Sequence, residues 1–97
     1  MSGGGIIYGP QSKNEGTIVL YALSTCVWCK KTKQLLDELG VHYRIIEVDL
    51  LEGATRDQVE DEVLKYNPMG TFPTLVISPQ KIIAGFREEE IRKAFAK

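Results

Sequence analysis

Apolar and polar positions along the first half of the chain predict a strand followed by a helix. Residues 17–23 are β-branched and continuously apolar, as expected for a strand buried on both faces. The next segment has helical spacing, and its apolar stripe consists of Trp28, Thr32, Leu35, Leu36 and Leu39. The opposite side is charged, with Lys30, Lys31, Lys33, Asp37 and Glu38. Gly40 then ends the helix in a position typical of helix C-termini.

The middle of the chain predicts a second strand and a second helix. Residues 42–48 form the strand, so that strand, helix and strand make a βαβ unit. Thr55 and Gln58 fit a capping box, which predicts a helix over about residues 56–66. We expect this helix to bury a stripe of apolar side chains, namely Val59, Val63 and Tyr66 together with Leu64.

The last third of the chain predicts a loop, a hairpin and a final helix. The loop covers residues 69–73, and two strands at 74–77 and 81–84 flank the turn at 78–80. The final helix covers residues 88–96 and packs Ile91, Ala94 and Phe95 on the sheet. The order β-α-β-α-β-β-α predicts a single domain of the α/β class.

The start of the chain differs in composition from the rest. Residues 1–16 are rich in Gly, Ser, Asn and Gln, with one short apolar patch at residues 6–8. We interpret them as a flexible leader or as an extra edge strand, and residues 17–97 as the folded domain. A chain of 97 residues is long enough for one domain with a core of its own.

The charge balance excludes several classes of partner. The chain has 12 Lys and Arg against 13 Asp and Glu, a net charge of −1, which does not favour nucleic acid or an anionic membrane. No apolar run approaches the roughly 20 residues of a membrane span. The first residues lack a basic region followed by an apolar stretch, as a signal peptide would have. We therefore expect a cytoplasmic protein, and we also expect it to be a monomer.

Two cysteines carry the candidate chemistry. Cys26 falls where the first strand passes into the first helix, and Cys29 lies about one turn further on. Unpaired backbone N–H groups and the helix dipole stabilise a thiolate at such a helix start, and the thiolate is the nucleophilic form of cysteine. Cys29 is close enough in sequence to form a disulfide with Cys26. Two neighbouring thiols of this kind are the minimum requirement for thiol–disulfide exchange.

The alternative interpretation is that Cys26 and Cys29 form half of a zinc site. A structural zinc site takes four ligands, and the rest of the chain offers one histidine, His42, and no further cysteine. The sequence therefore predicts no metal site within one chain. A metal cluster bound between two chains remains an alternative.

Three segments resemble the glutaredoxin family of the thioredoxin superfamily. They are Cys-Val-Trp-Cys at 26–29, Thr-Phe-Pro-Thr at 71–74 and Gly-Phe-Arg at 85–87, and the resemblance covers about residues 17–97. It implies a thioredoxin-like fold, with a central four-stranded mixed sheet flanked by three helices, and a cis peptide bond before Pro73. It also implies that Cys26 and Cys29 are catalytic and that substrates contact Thr25, Val27, Trp28, Phe72, Pro73, Gly85, Phe86 and Arg87.

The resemblance implies a dithiol–disulfide oxidoreductase. Cys26 attacks a protein or small-molecule disulfide, and Cys29, which we expect to be more buried and the weaker acid, then releases the reduced substrate. Cofactors beyond the redox-active disulfide are not required. The implied partners are disulfide-containing proteins such as ribonucleotide reductase, with an upstream thiol reductase, such as thioredoxin reductase, or glutathione as the source of electrons.

Departures from the family pattern bear on the reductant. Leu23 stands where glutathione-dependent glutaredoxins usually have lysine, and Ala84 with Gly85 replaces their Gly-Gly pair. Gly-Phe-Arg at 85–87 resembles the NrdH-redoxins, which are reduced by a flavin reductase and donate electrons to ribonucleotide reductase. Val27 replaces a common proline, as in members that hold an iron–sulfur cluster between two chains. A glutathione-dependent glutaredoxin, a cluster-binding scaffold and a non-catalytic binding domain are the alternatives.

Overall fold

The computed structural model describes residues 18–96 of the chain. Its elements are β1 (Val19–Ala22), α1 (Val27–Glu38), β2 (Arg44–Glu47), a 3₁₀ turn (Val48–Leu50), α2 (Gly53–Tyr66), β3 (Thr74–Ser78), β4 (Lys81–Ala84) and α3 (Glu88–Ala94). The predicted order of strands and helices is confirmed. The leader or edge strand predicted for residues 1–16 lies outside the described residues.

The four strands form one mixed sheet in the order β2-β1-β3-β4. β1 and β2 are parallel, as the βαβ prediction requires, with Ala22 opposite Glu47. β3 runs antiparallel to both β1 and β4, and the register of the β3–β4 hairpin shifts between Val76 and Ser78. Because β1 and β2 are parallel, the segments that follow them leave the sheet at the same edge.

Alternating residues of the central strands divide the core into two layers. Leu20 and Leu75 pack with α1 and α3, through Leu36 and Ile91 among others, and all four side chains are at most 1% exposed. On the other face, a second cluster comprises Tyr21, Val48, Val63 and Val76. Since successive side chains of a strand point to opposite faces, α1 and α3 cover one face of the sheet and α2 covers the other.

Trp28 does not belong to the buried stripe of α1, and that part of the helix prediction is wrong. Thr32, Leu35 and Leu36 are buried as predicted, whereas 56% of Trp28 is exposed. Its indole stacks on Phe86, which precedes α3. Gly40 has φ of +72° just beyond the helix, which confirms the predicted C-terminal position.

The capping box predicted for α2 is also wrong. The helix begins one turn earlier than expected, at Gly53, and its N-cap, Glu52, makes no side-chain capping hydrogen bond. Gly53 has φ of +61°, a conformation that glycine adopts readily, and this lets the helix start before Thr55. Leu64 is 49% exposed, so it too lies outside the stripe, whose buried centre is Val63.

The remaining differences concern the ends of elements. β2 is shorter than predicted because a 3₁₀ turn takes over at Val48, and α3 ends at Ala94. Ile91 is buried, and Ala94 and Phe95 pack against the same cluster, as predicted. Among residues 18–96, no helix has both the length and the apolar character that crossing a bilayer requires.

Candidate active site

Cys26 lies at the N-terminus of α1, where it is the N-cap residue. Its Sγ accepts a hydrogen bond of 3.2 Å from the backbone N–H of Cys29. A sulfur that accepts from an N–H group at a helix start is stabilised as an anion, because both the hydrogen bond and the helix dipole favour negative charge. Cys26 is partly exposed and is a free thiol.

Cys29 lies beneath Cys26 in the first turn of α1 and is only 1% exposed. Burial raises the pKa of this thiol to about 12, and its hydrogen bond with Cys26 and the negative charges of Cys26 and Asp49 act in the same direction. The backbone N–H of Leu23 donates to Cys29 Sγ at 3.5 Å and opposes that rise in pKa. Cys29 is therefore a buried thiol that keeps its proton at neutral pH.

A turn over residues 23–26 joins β1 to α1 and is fixed at two points. The N–H of Cys26 donates to the carbonyl of Leu23 at 3.2 Å. Ser24 donates twice to the Asp49 carboxylate, from its N–H at 2.9 Å and from its Oγ at 2.5 Å. These bonds from Ser24, the side-chain bond first, lower the pKa of the Asp49 carboxyl.

The contribution of Asp49 was not predicted from the sequence, although a signal for it exists. Asp49 follows β2 and Ser24 follows β1, and parallel neighbouring strands bring the residues after their carboxyl ends to one edge of the sheet. A polar residue just after a predicted parallel strand is thus a candidate for contact with the cysteine turn.

The Phe72–Pro73 peptide bond is cis, as the family resemblance implied. Pro73 is buried, and Phe72 packs against the core clusters on both sides of the sheet. The N–H of Gly85 donates to the carbonyl of Pro73 at 2.8 Å, which ties the end of β4 to this loop.

Asn67 organises the segment before that proline. It is 5% exposed, and its Nδ2 donates to the carbonyl and the Oγ1 of Thr71 and, at 3.0 Å, to the Oγ1 of Thr74. Its Oδ1 accepts from the N–H of Met69 at 3.2 Å, and the Thr74 hydroxyl donates to the Thr71 carbonyl at 2.7 Å. These contacts fix the backbone of residues 67–74. This role of Asn67 was not predicted from the sequence.

The structure brings together four of the predicted substrate-contacting residues, Trp28 with Phe86 and Pro73 with Gly85. Cys26, Phe72 and Phe86 all pack against one core cluster. Trp28 stacks on Phe86 with ring centroids 5.8 Å apart, and Val27 beside it is 61% exposed. Thr25 is also exposed.

Arg87 has contacts of its own. Its Nε donates to the carbonyl of Ala84 at 3.1 Å, and its guanidinium lies 3.8 Å from the carboxylate of Glu90. Arg87 therefore stabilises the turn that contains Gly85 and Phe86.

Residues 18–96 contain no group of three or more His, Cys, Asp or Glu side chains arranged to hold a metal ion. Cys26 and Cys29 alone would provide two sulfur ligands, and structural zinc sites have four. A metal or cluster on this pair would need ligands from outside that part of the chain.

A mixed four-stranded sheet with a cysteine pair at a helix start and a cis-proline loop defines the class of thioredoxin-fold redox proteins. Comparison with known sequences narrows the class. The family model described as Glutaredoxin matches residues 18–82, more than half of the chain. The chain belongs to the glutaredoxin family, whose members are thiol–disulfide oxidoreductases.

Individual relatives agree with this assignment. The crystal structure of methanoredoxin from Methanosarcina acetivorans is 48% identical, with a TM-score of 0.79 over 84% of this chain and 86% of that one. Glutaredoxin 1 of Rickettsia prowazekii is 38% identical over 61 residues, which are 63% of this chain and 61% of the relative. A buckwheat glutaredoxin–glutathione complex is 26% identical, with a TM-score of 0.62 over 79% of this chain and 67% of that one.

The chain spans less than two thirds of the length of the curated relatives it matches.

Proposed function

We propose that this protein is a dithiol–disulfide oxidoreductase of the redoxin type, which reduces disulfides of protein substrates. Cys26 is the nucleophile and Cys29 the resolving thiol. The observation that carries the proposal is the contrast within the pair: Cys26 Sγ is partly exposed and accepts the Cys29 N–H at 3.2 Å, whereas Cys29 is 1% exposed.

In the first step, the Cys26 thiolate attacks one sulfur of the substrate disulfide. A bond forms between that sulfur and Cys26 Sγ, the substrate S–S bond breaks, and the second substrate sulfur leaves as a thiolate that takes a proton from water. The helix start of α1 stabilises the attacking anion through the Cys29 N–H. A buried Cys29 cannot make this first attack on a folded protein.

In the second step, Cys29 loses its proton and attacks Cys26 Sγ. The Cys26–Cys29 disulfide forms, the mixed disulfide breaks, and the first substrate sulfur leaves as a thiol. The substrate has gained two electrons and the cysteine pair has lost two. Formation of the mixed disulfide removes the negative charge of Cys26, one of the causes that hold the Cys29 pKa high, so the second attack becomes easier.

The substrate lies, in this proposal, across the surface formed by the cysteine turn, the cis-proline loop and the start of α3. Its extended backbone pairs with the backbone N–H and C=O of Phe72, as in strand addition to a sheet edge. Its apolar side chains contact the surface around the stacked rings, and the contacting residues are Thr25, Val27, Trp28, Phe72, Pro73, Gly85, Phe86 and Arg87.

A flavin-dependent thiol reductase, and not glutathione, supplies the electrons in this proposal. Two features support it: Leu23 offers no cation for a carboxylate of glutathione, and Phe86 fills the surface after Gly85 with an aromatic ring stacked on Trp28. The buckwheat relative forms a complex with glutathione, and glutathione is therefore the alternative reductant. Ribonucleotide reductase is one protein substrate of the proposed kind.

The proposed working unit is residues 17–97, acting in the cytoplasm as a monomer with no cofactor beyond its own disulfide. Sizing chromatography and visible absorbance after anaerobic purification test this point, because a brown dimer would instead indicate a cluster shared between two chains.

The decisive experiment compares Cys26→Ser with Cys29→Ser. We expect Cys29→Ser to accumulate a mixed disulfide with a disulfide-bearing protein such as insulin, and Cys26→Ser to form none. Trapping by Cys26→Ser would reverse the roles. The oxidised wild type is then offered thioredoxin reductase with NADPH, or glutathione with its reductase. Faster reduction by glutathione would overturn the choice of reductant and leave the thiol chemistry intact.

A further inference from the structure

The buried sulfur of Cys29 accepts a hydrogen bond from one backbone amide, the N–H of Leu23, at 3.5 Å. Leu23 follows β1 directly and begins the 23–26 turn. A hydrogen bond to a sulfur favours its thiolate, the form that must exist at the moment Cys29 attacks Cys26. The position of that amide therefore affects the second half of the reaction.

The Asp49 carboxylate holds the turn to which that amide belongs. Both of its oxygens are engaged by Ser24, the residue next to Leu23, one by the N–H at 2.9 Å and the other by the hydroxyl. Asp49 lies in the 3₁₀ turn after β2, so its backbone is anchored to the sheet and not to the cysteine helix. A charged acceptor with two donors is among the stronger hydrogen-bonding arrangements in proteins.

We propose that Asp49 is a positioning residue for the resolving thiol: it holds the Ser24 turn so that the Leu23 amide stays within hydrogen-bonding distance of Cys29 Sγ. This inference rests on the proposed function, which makes Cys29 the resolving thiol. It assigns to Asp49 no contact with substrate and no proton transfer.

Asp49 affects Cys29 in two opposite ways. Through Ser24 it positions a hydrogen-bond donor that stabilises the Cys29 thiolate, and through its own negative charge it destabilises that thiolate and raises the pKa of Cys29. The other charged group that raises this pKa is Cys26. Because the two effects of Asp49 have opposite signs, substitutions that separate them have opposite consequences.

Two substitutions at position 49 separate the effect of the charge from the effect of the hydrogen bonds. Asn at position 49 keeps an oxygen for the Ser24 N–H and offers an NH₂ group to the Ser24 hydroxyl, but it removes the charge. Ala at position 49 removes both the charge and the two hydrogen bonds from Ser24. Asp61→Ala on α2 is the control, because it removes the same charge from an exposed residue remote in sequence from the turn.

The reaction with 5,5′-dithiobis(2-nitrobenzoate) measures both steps on the reduced protein. Attack by Cys26 releases one coloured thiolate, and attack by Cys29 on the resulting mixed disulfide releases a second. We expect Asp49→Ala to slow the second release by about threefold to tenfold, because the loss of one net hydrogen bond outweighs the gain from removing the charge. Asp49→Asn should keep the second release at the wild-type rate or increase it. In the two Asp49 variants and in Asp61→Ala, the first release should keep its wild-type rate.

A pH series gives a readout that a purely structural role would not affect. In a Cys26→Ser background, Asp49→Asn should shift the alkylation profile of Cys29 to lower pH, and Asp49→Ala should not. Ser24→Ala, which loses only the hydroxyl bond, should slow the second release by about threefold even if Asp49→Ala does not fold.

Either of two results would overturn the inference: a wild-type second release in Asp49→Ala and Ser24→Ala, or equal slowing in Asp49→Asn and Asp49→Ala. Failure of the proposed function would look different. The first release would then survive in Cys26→Ser, or the second would be absent from the wild type.

Discussion

Trp28 and Phe86 stack with their ring centroids 5.8 Å apart and their planes inclined by 25°. This contact joins the first turn of α1 to the segment before α3, and Lys31 Nζ lies 5.7 Å from the Trp28 centroid on the same helix. More than half of Trp28 remains exposed, next to Cys29 in sequence and two residues from Cys26. The pair therefore forms an apolar surface close to Cys26.

Phe86→Leu should loosen this surface without removing an apolar side chain. We expect the free energy of unfolding to fall by about 0.5–1.5 kcal/mol, the usual contribution of an aromatic pair. The chain has one tryptophan, so its fluorescence reports directly on the stacking. The emission of Trp28 should change, and KM for a protein disulfide should rise more than kcat falls.

Phe95→Leu is the matched control for that substitution. Phe95 packs against the same core cluster but makes no stack with Trp28. We expect it to change stability and to leave the emission of Trp28 as in the wild type. An unchanged emission in Phe86→Leu would contradict the role given to the stack.

Asn67→Ala should destabilise the loop that precedes β3. The substitution leaves Thr71 and Thr74 without the Asn67 donor and the Met69 N–H without its acceptor, in a place where Asn67 is 5% exposed. We expect a loss of about 2–3 kcal/mol in urea unfolding, because buried polar groups are left unpaired. Gln80→Ala, at an exposed turn position, is the control and should change stability little.

A second measurement distinguishes loop order from general stability. In the proposed function a protein disulfide pairs with the loop, so Asn67→Ala should raise KM for such a substrate. The rate of Cys26 with a small disulfide should stay near the wild-type value. If both rates fall together, the loop does not act through substrate binding.

Alkaline pH should destabilise the reduced protein through Cys29. The folded-state pKa of this thiol is raised, chiefly by burial, to about 12, whereas an unfolded cysteine titrates near 8.5. Between these two values the unfolded chain releases the proton and the folded chain keeps it, so the free energy of unfolding falls as pH rises. The contribution is complete below about pH 8.5 and is lost progressively toward about pH 12.

Urea unfolding under reducing conditions, repeated between pH 8 and 11, checks this expectation. The wild type should lose stability more steeply than Cys29→Ser, which lacks the Cys29 thiol. Cys26 is present in both proteins. Tyr21 and Tyr43 also have raised pKa values, from burial first and then from hydrogen bonds to Glu62 and Asp37, but both tyrosines are present in each protein. Parallel curves would show that Cys29 is not the group responsible.

Tyr21→Phe should weaken the attachment of α2 to the sheet. The Tyr21 hydroxyl, on the central strand β1, donates to Glu62 of α2 at 3.0 Å. We expect a loss of about 1 kcal/mol, the net value of one hydrogen bond, measured by urea unfolding. Glu62→Gln keeps an acceptor and should lose less. Equal losses in the two variants would mean that the charge of Glu62 matters more than the bond.

Much of the fold could be predicted because it is encoded in local patterns. The apolar run of β1, the stripe through Thr32 and Leu36 and the turn residues before Lys81–Ala84 each depend on side chains a few positions apart. The cysteine pair is local in the same sense: Cys26 and Cys29 are one helical turn apart in any α-helix. The periodicity of the backbone alone brings such residues together.

Contacts between distant segments were decided only by the tertiary structure. Ser24 meets Asp49 because β1 and β2 pair in one register, and Trp28 meets Phe86 because α1 and α3 lie on one face of the sheet. The spacing of Trp28 is that of a buried residue, yet 56% of it is exposed. Periodicity states which side of a helix is apolar, whereas burial depends on whether another element covers that turn.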